Sequence, residues 1–304
     1  MPDPRHDGII VLGHPRSGTT LLRRLLDGHP RISCPGETHL LNACARFLHA
    51  EITADGLDMG VLSGLHFAGF EDTEVLARLR EFALAFPREY ARRQGKPRWA
   101  EKTAIDTFYI PRIEALCGDQ VYFIGIIRHG LDVALSCRDL LDASGILLRE
   151  LHRYVCRYPQ LLEAFCHAWA DTTRDLLAFA DRHPDNVLLC RYEDLVGAPE
   201  ETLRGLMDFV GEDYSPQMLA GLDKAEGLGM GDWKSYQSAS VVDDRTGRWQ
   251  GLSSIQLSTL GAIVNPLLAE LDYPPVPVQT DAGPAAARRR YELSLMAHAS
   301  RRQR

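Results

Sequence analysis

An apolar run that breaks into a glycine turn and restarts at once as a helix is the feature that most limits what this chain can become. Residues 9–12 read Ile-Ile-Val-Leu, which suits a strand buried on both faces. Gly13 and Gly18 bracket a short turn, and Leu21, Leu22, Leu25 and Leu26 then follow helical spacing. Such a strand–turn–helix aims the amides of Ser17, Gly18, Thr19 and Thr20 into one concavity at a helix N-terminus, where the partial positive charge favours a phosphate or sulfate. The Gly13-x4-Gly18 spacing is that of a P-loop, but Thr19 stands where ATP-hydrolysing loops carry lysine. The cation lies inside the turn instead, as Arg16. This is an anion-binding loop for a different chemistry.

The rest of the chain supplies the sheet that such a loop needs. Two further apolar runs, 121–127 and 186–190, read as buried strands, and each is followed by an arginine, Arg128 and Arg191. Helical patterns follow from near Leu131, over 161–182, between Pro199 and Gly211, and over 254–271. Alternating strands and helices predict an α/β fold with a parallel sheet flanked by helices in three layers, and the P-loop spacing makes the expected kind the P-loop-containing nucleotide hydrolase-like one. Mixed helical periodicity over about 40–98 predicts helical cap insertions on a domain spanning 1–273. A Pro-rich break and a basic C-terminal tail occupy 274–304, and 227–251 is a long Gly- and Ser-rich loop. Ligands of such sheets collect beyond the carboxyl ends of the strands, where the conspicuous polar groups lie.

Charge and composition exclude several classes. A net charge of −7 argues against a nucleic-acid surface, though not against a nucleotide pocket built from a few local cations. No apolar run reaches the roughly 18 residues of a membrane span. The polar residues 1–8 leave no room for a signal peptide before the first strand, and the seven cysteines form no C-x-x-C pair. The expectation is a cytoplasmic protein with free thiols. No His, Cys, Asp and Glu cluster has metal-ligand spacing, and there is no Gly-x-Ser-x-Gly elbow for Ser-His-Asp hydrolysis.

Arg128 at a strand end and Ser136 two helical turns later can approach one phosphate from two sides, with a planar fork and a directional hydroxyl. Together with the Pro-Arg-Ser-Gly-Thr-Thr loop at 15–20, this pair resembles the phosphate-binding motifs of sulfotransferases that use 3′-phosphoadenosine-5′-phosphosulfate (PAPS). The run Leu-Leu-Asp-Gly-His-Pro at 25–30, followed by Cys-Pro-Gly-Glu-Thr at 34–38, resembles the protein-tyrosine sulfotransferases and their bacterial relatives.

The resemblance implies a metal-independent enzyme that moves a sulfuryl group from PAPS to a hydroxyl of a small molecule, glycan or peptide. Glu37 would be the general base, with His39 as a rival, and Lys102 and Arg16 would stabilise the leaving group from the opposite side of sulfur. Arg16, Ser17, Gly18, Thr19 and Thr20 would hold the 5′-phosphosulfate, and Arg128 and Ser136 the 3′-phosphate. Tyr192 would contact the nucleotide near adenine, and Gly247, Arg248 and Trp249 would close over the 3′-phosphate. Ser240, or its neighbour Ser238, would touch the reacting groups. His14 reads as structural and Asp132 as a helix-start residue rather than a ligand. The rival functions are a P-loop small-molecule kinase and a nucleotide-binding module without chemistry. A homodimer is left open.

Overall fold

Strand β1 (Gly8–Leu12) is buried along its whole length because it has a neighbour on each edge and helices over both faces. The structure is a computed structural model that describes residues 7–49, 51–53, 56–220, 222, 245–278, 288 and 291–292. From β1 the chain turns into helix α1 (Thr19–Asp27), a two-residue strand β2 (Ile32–Ser33) and helix α2 (Leu40–Leu48). An antiparallel hairpin of β3 (Glu51–Thr53) and β4 (Gly56–Asp58) precedes α3 (Val61–Phe67) and the long α4 (Asp72–Arg93). Strand β5 (Arg98–Lys102), α5 (Ile110–Cys117) and β6 (Tyr122–Ile127) follow. Next come α6 (Gly130–Ser144), α7 (Arg149–Arg157), α8 (Leu161–Arg182) and β7 (Val187–Arg191). Helices α9 (Tyr192–Gly197), α10 (Pro199–Val210), α11 (Gln217–Ala220) and α12 (Ser254–Glu270) complete the described elements.

The main sheet is parallel throughout, in the order β2-β5-β1-β6-β7. The period of two along β1 divides the interior into two layers. Ile9 and Val11 pack with Leu22, Leu25 and Leu26 of α1 and with Leu203, Leu206 and Met207 of α10. Ile10 and Leu12 face the other way, into a core with Phe123, Phe165, Trp169 and Phe179. This is the expected three-layer α/β fold.

Two strands of the main sheet were not visible as apolar runs, and the short β3–β4 hairpin lies within the region read as helical. β2 is too short to carry a pattern. β5 reads Arg-Trp-Ala-Glu-Lys, yet every one of its residues is buried. Its charges enter the core because each meets a partner: Arg98 donates to the Val210 carbonyl and lies 3.5 Å from Glu212, and Lys102 bonds Glu37. Within the region read as a cap, Val75, Ala83, Leu84 and Ala91 of α4 join the same core as Phe123 and Trp169.

Candidate active site

The loop after β1 is shaped by backbone conformation first. Arg16 and Gly18 both lie in the left-handed region, at φ 78 and φ 101. Gly18 is needed for a second reason, since a Cβ there would run into the Tyr192 ring. Gly13 has a Cβ direction that meets the Ile126 carbonyl at 2.6 Å, and its amide donates to the Thr107 hydroxyl at 2.7 Å. The Ser17 amide donates to the His14 carbonyl at 3.0 Å and closes the turn. α1 then starts at Thr19 with no side chain capping its first amides. His14 is buried, with Nδ1 against the Pro15 carbonyl at 2.7 Å and its ring edge-on to Phe108. Burial pulls its pKa down to about 4, so it is neutral at physiological pH. That agrees with a structural role.

Parallel pairing of β1 with β5 places Val11 opposite Lys102, which puts the lysine at the mouth of the loop. Only 3% of Lys102 is exposed. Its ammonium donates to the Thr20 hydroxyl at 3.2 Å and to Glu37 Oε1 at 2.6 Å. The same Glu37 oxygen accepts from the Ala104 amide at 3.3 Å. Burial raises the Glu37 pKa, but the Lys102 charge and hydrogen bond outweigh it and hold the carboxyl below its ordinary value. His39 stands 3.9 Å from the other Glu37 oxygen, on a backbone at φ 59. The base candidate and the leaving-group candidate were expected on opposite sides of a reacting centre. Here they touch, because a buried ammonium needs a carboxylate and Glu37 is within reach.

The third element grows from the end of β6. Arg128 is 4% exposed. It donates to the backbone carbonyls of Arg16 and Arg245, and its guanidinium sits 4.4 Å over the Tyr192 ring. Trp169 fixes this corner from below by donating to the Arg128 carbonyl at 3.1 Å. Ser136 accepts from Arg16 Nε at 3.1 Å, so Arg16, Arg128, Ser136 and Tyr192 form one cluster around the loop. The segment 247–249 docks onto it. Gly247, at φ 71, and Trp249 both donate backbone amides to Asp132, at 2.8 and 3.0 Å. Arg248 pairs with Asp139 at 2.9 Å, and the Trp249 ring stacks on His129 at 4.9 Å.

The candidates Ser17, Gly18, Thr19, Thr20, Arg16, Glu37, Lys102, Arg128, Ser136, Tyr192, Gly247, Arg248 and Trp249 therefore line one continuous region around the carboxyl ends of β1, β5, β6 and β7. Ser238 and Ser240 lie outside the described residues. Asp132 is more than a helix-start residue: fully buried, it clamps the 247–249 segment through two amides. Its position in the first turn of α6 was readable, but a partner 115 residues away was not. Sequence reasoning also missed Thr107, which bonds the loop at Gly13, and the buried Glu101 and Asp106, which bond Thr38 and Asn42 beyond Glu37. Among the described residues, no group of three or more His, Cys, Asp and Glu side chains could hold a metal ion, and no helix is long and apolar enough to cross a membrane.

Comparison with known proteins points the same way as the geometry. A model described as "Sulfotransferase family" matches residues 8–216. Protein-tyrosine sulfotransferase 1 of Danio rerio is 25% identical over 287 residues, covering 88% of this chain and 72% of the relative. Nodulation protein NoeE of Sinorhizobium fredii is 26% identical over 276 residues, covering 87% of this chain and 65% of that protein. Among solved structures, the sulfotransferase domain from the curacin biosynthetic pathway superposes with a TM-score of 0.62 at 20% identity, over 88% of this chain and 97% of that one. That likeness speaks to the fold.

Proposed function

The chain belongs to the sulfotransferase family, and from that premise we propose that it moves a sulfuryl group from PAPS to the hydroxyl of a small molecule, glycan or peptide without a metal ion. The observation that carries this reading is the buried Lys102 ammonium, which spans the loop hydroxyl of Thr20 and the carboxylate of Glu37. A nucleotide loop and a proton acceptor joined through one cation are what group transfer needs and pure binding does not.

The residues suit such a donor. Uncapped amides of α1 and the left-handed turn at Arg16 and Gly18 favour an anion. The Arg128 Nε has no hydrogen-bond partner among the described residues although its side chain is buried, which supports a phosphate beside it. PAPS supplies an activated sulfur–oxygen bond whose leaving group is a phosphate. Lys102 and Arg16 neutralise the negative charge that grows on the departing oxygen. Glu37 takes the proton as the acceptor oxygen bonds to sulfur. Its low pKa keeps it ionised and ready, and a donor anion that competes for Lys102 would restore its basicity at the moment of use. Arg128 and Ser136 hold the 3′-phosphate, Tyr192 supports the nucleotide, and the segment 247–249 closes over it.

Thermal stabilisation by adenosine 3′,5′-bisphosphate, compared with ATP and magnesium, tests the donor class. The bisphosphate at a hundred times its Kd adds about 2.7 kcal/mol, and ATP adds much less. Turnover that survives exhaustive chelation supports the metal-free reading, and strict restoration by magnesium overturns it in favour of a kinase.

A further inference from the structure

Behind the Lys102–Glu37 pair lies a carboxyl that the proposed reaction does not use. Glu101 precedes Lys102 on β5 and is 2% exposed, with its side chain on the opposite face of the strand's alternation. Its Oε1 accepts from the Thr38 hydroxyl at 2.9 Å and from the Thr103 hydroxyl at 2.8 Å. Each hydroxyl has one proton, so donating to Glu101 leaves only lone pairs on the other side. Those lone pairs face the backbone of the turn that carries Glu37: Thr103 Oγ1 accepts the His39 amide at 3.2 Å and Thr38 Oγ1 accepts the Leu40 amide at 3.3 Å. The acceptor oxygen thus sets the direction of both hydroxyls, and they in turn pin the amides of His39 and Leu40, in the turn that follows Glu37. The pinned residue His39 adopts a left-handed backbone, which a β-carbon-bearing side chain resists without such support.

A second carboxyl braces the same turn from its far end. Asp106 accepts from the Asn42 amide at 3.2 Å and from the Asn42 side chain at 2.8 Å, at the start of α2. Burial makes ionisation costly for both carboxyls, and for Asp106 the neighbouring Glu101 adds to that cost. A neutral carboxyl still offers its carbonyl oxygen, which is the role Oε1 performs.

We propose that Glu101 is a positioning residue for sulfuryl transfer: by gathering Thr38 and Thr103 on one oxygen, it fixes the turn that presents Glu37 to Lys102 and to the acceptor hydroxyl. This rests on the reading of Glu37 as the base. Glu101 acts through hydrogen-bond acceptance and not through charge, so the amide of Glu101→Gln replaces it, while Glu101→Leu, which accepts nothing, does not.

Steady-state turnover and calorimetric binding of adenosine 3′,5′-bisphosphate separate the roles. Glu101→Gln keeps kcat within about threefold of wild type. Glu101→Leu lowers kcat by about tenfold or more, the worth of one lost hydrogen bond, with bisphosphate affinity unchanged. Should Glu101→Leu not fold, Thr38→Val carries the same test by removing one donor and leaving the core of β5 intact. In a Glu37→Gln background, Glu101→Leu or Thr38→Val costs nothing further, since a residue acting through Glu37 has nothing left to position. Full turnover in Thr38→Val overturns the proposal, and so does a Glu101→Gln as slow as Glu101→Leu. A slow Glu37→Gln with fully additive losses overturns the positioning alone. Wild-type turnover in Glu37→Gln itself overturns the base reading beneath it.

Discussion

The strand ends that face the loop and the surface of α3 and α4 follow opposite rules. Around the loop, charge is buried and interlocked: Lys102, Arg128 and Asp132 each contact two or more backbone or side-chain groups from distant parts of the chain. On α3 and α4 large apolar side chains stand in solvent, with Phe67 96% exposed and Phe82 and Phe86 packed edge-on against each other at the surface. A buried ion cannot lose its partner without leaving an uncompensated charge. An exposed phenylalanine that contributes little to the core can change freely. The loop side of the molecule is therefore tightly determined by its own fold, and the α3–α4 face is not.

The sharpest way to break this comparison is Glu37→Gln, which preserves shape but cannot accept a proton. Turnover should fall roughly 100- to 10,000-fold, with bisphosphate affinity little changed in a calorimetric titration. A near wild-type rate, with His39→Ala inactive, would move the base to His39. Next in size is Arg128→Ala. It should weaken adenosine 3′,5′-bisphosphate by about 100-fold, in the range of a truncated buried charge pair, and adenosine 5′-phosphosulfate, which lacks the 3′-phosphate, by only a few-fold. Equal losses would remove Arg128 from the 3′-phosphate.

The pH dependence of stability sharpens the contrast within the buried half. Burial lifts the Glu101 pKa from 4.5 to about 7, against the hydrogen bonds from Thr103 and Thr38 that lower it. The folded state then holds this proton more tightly than the unfolded chain, so Glu101 makes stability fall as pH rises from about 4.5 to about 7. Glu37 has the opposite sign: its pKa is lowered, and the stability it adds is lost as pH falls. Urea midpoints at pH 5 and pH 8 should show Glu101→Gln gaining about 2 kcal/mol relative to wild type at the higher pH. A constant difference between the two pH values would mean that Glu101 does not titrate in this window. Smallest of all, Phe82→Ser and Phe86→Ser should leave stability within about 0.5 kcal/mol and bisphosphate affinity unchanged. A large loss of stability would show that the α3–α4 face is part of the core after all.

Much of this was legible because local chemistry marks it. Strand β1, the glycine turn and the leucine spacing of α1 need only the period of the residues and the conformational freedom of Gly18. Arg128 and Ser136 were singled out by their place after a buried strand together with the resemblance of the loop before them, since their spacing alone marks nothing. β5 was not, since Arg98, Glu101 and Lys102 break the apolar pattern that marks a buried strand, and only their distant partners let them enter the core. Asp132 was placed correctly in a first helical turn, yet its work is to accept amides at 247 and 249.

By itself the sequence determined an α/β sheet with a glycine turn running into a helix, and carried the motifs of the sulfotransferase family. The sheet and the turn follow from periodicity, turn chemistry and short-range spacing, which act between neighbours along the chain. Only the tertiary structure decided that Lys102 pairs with Glu37 across 65 positions and that Glu101 holds the turn between them. Parallel register sets both: pairing Val11 with Lys102 brings the end of β5 to the loop, and pairing Ser33 with Trp99 brings the turn after β2 alongside it. Hydrogen bonds between such distant residues exist only once the strands are aligned, and no local pattern encodes them.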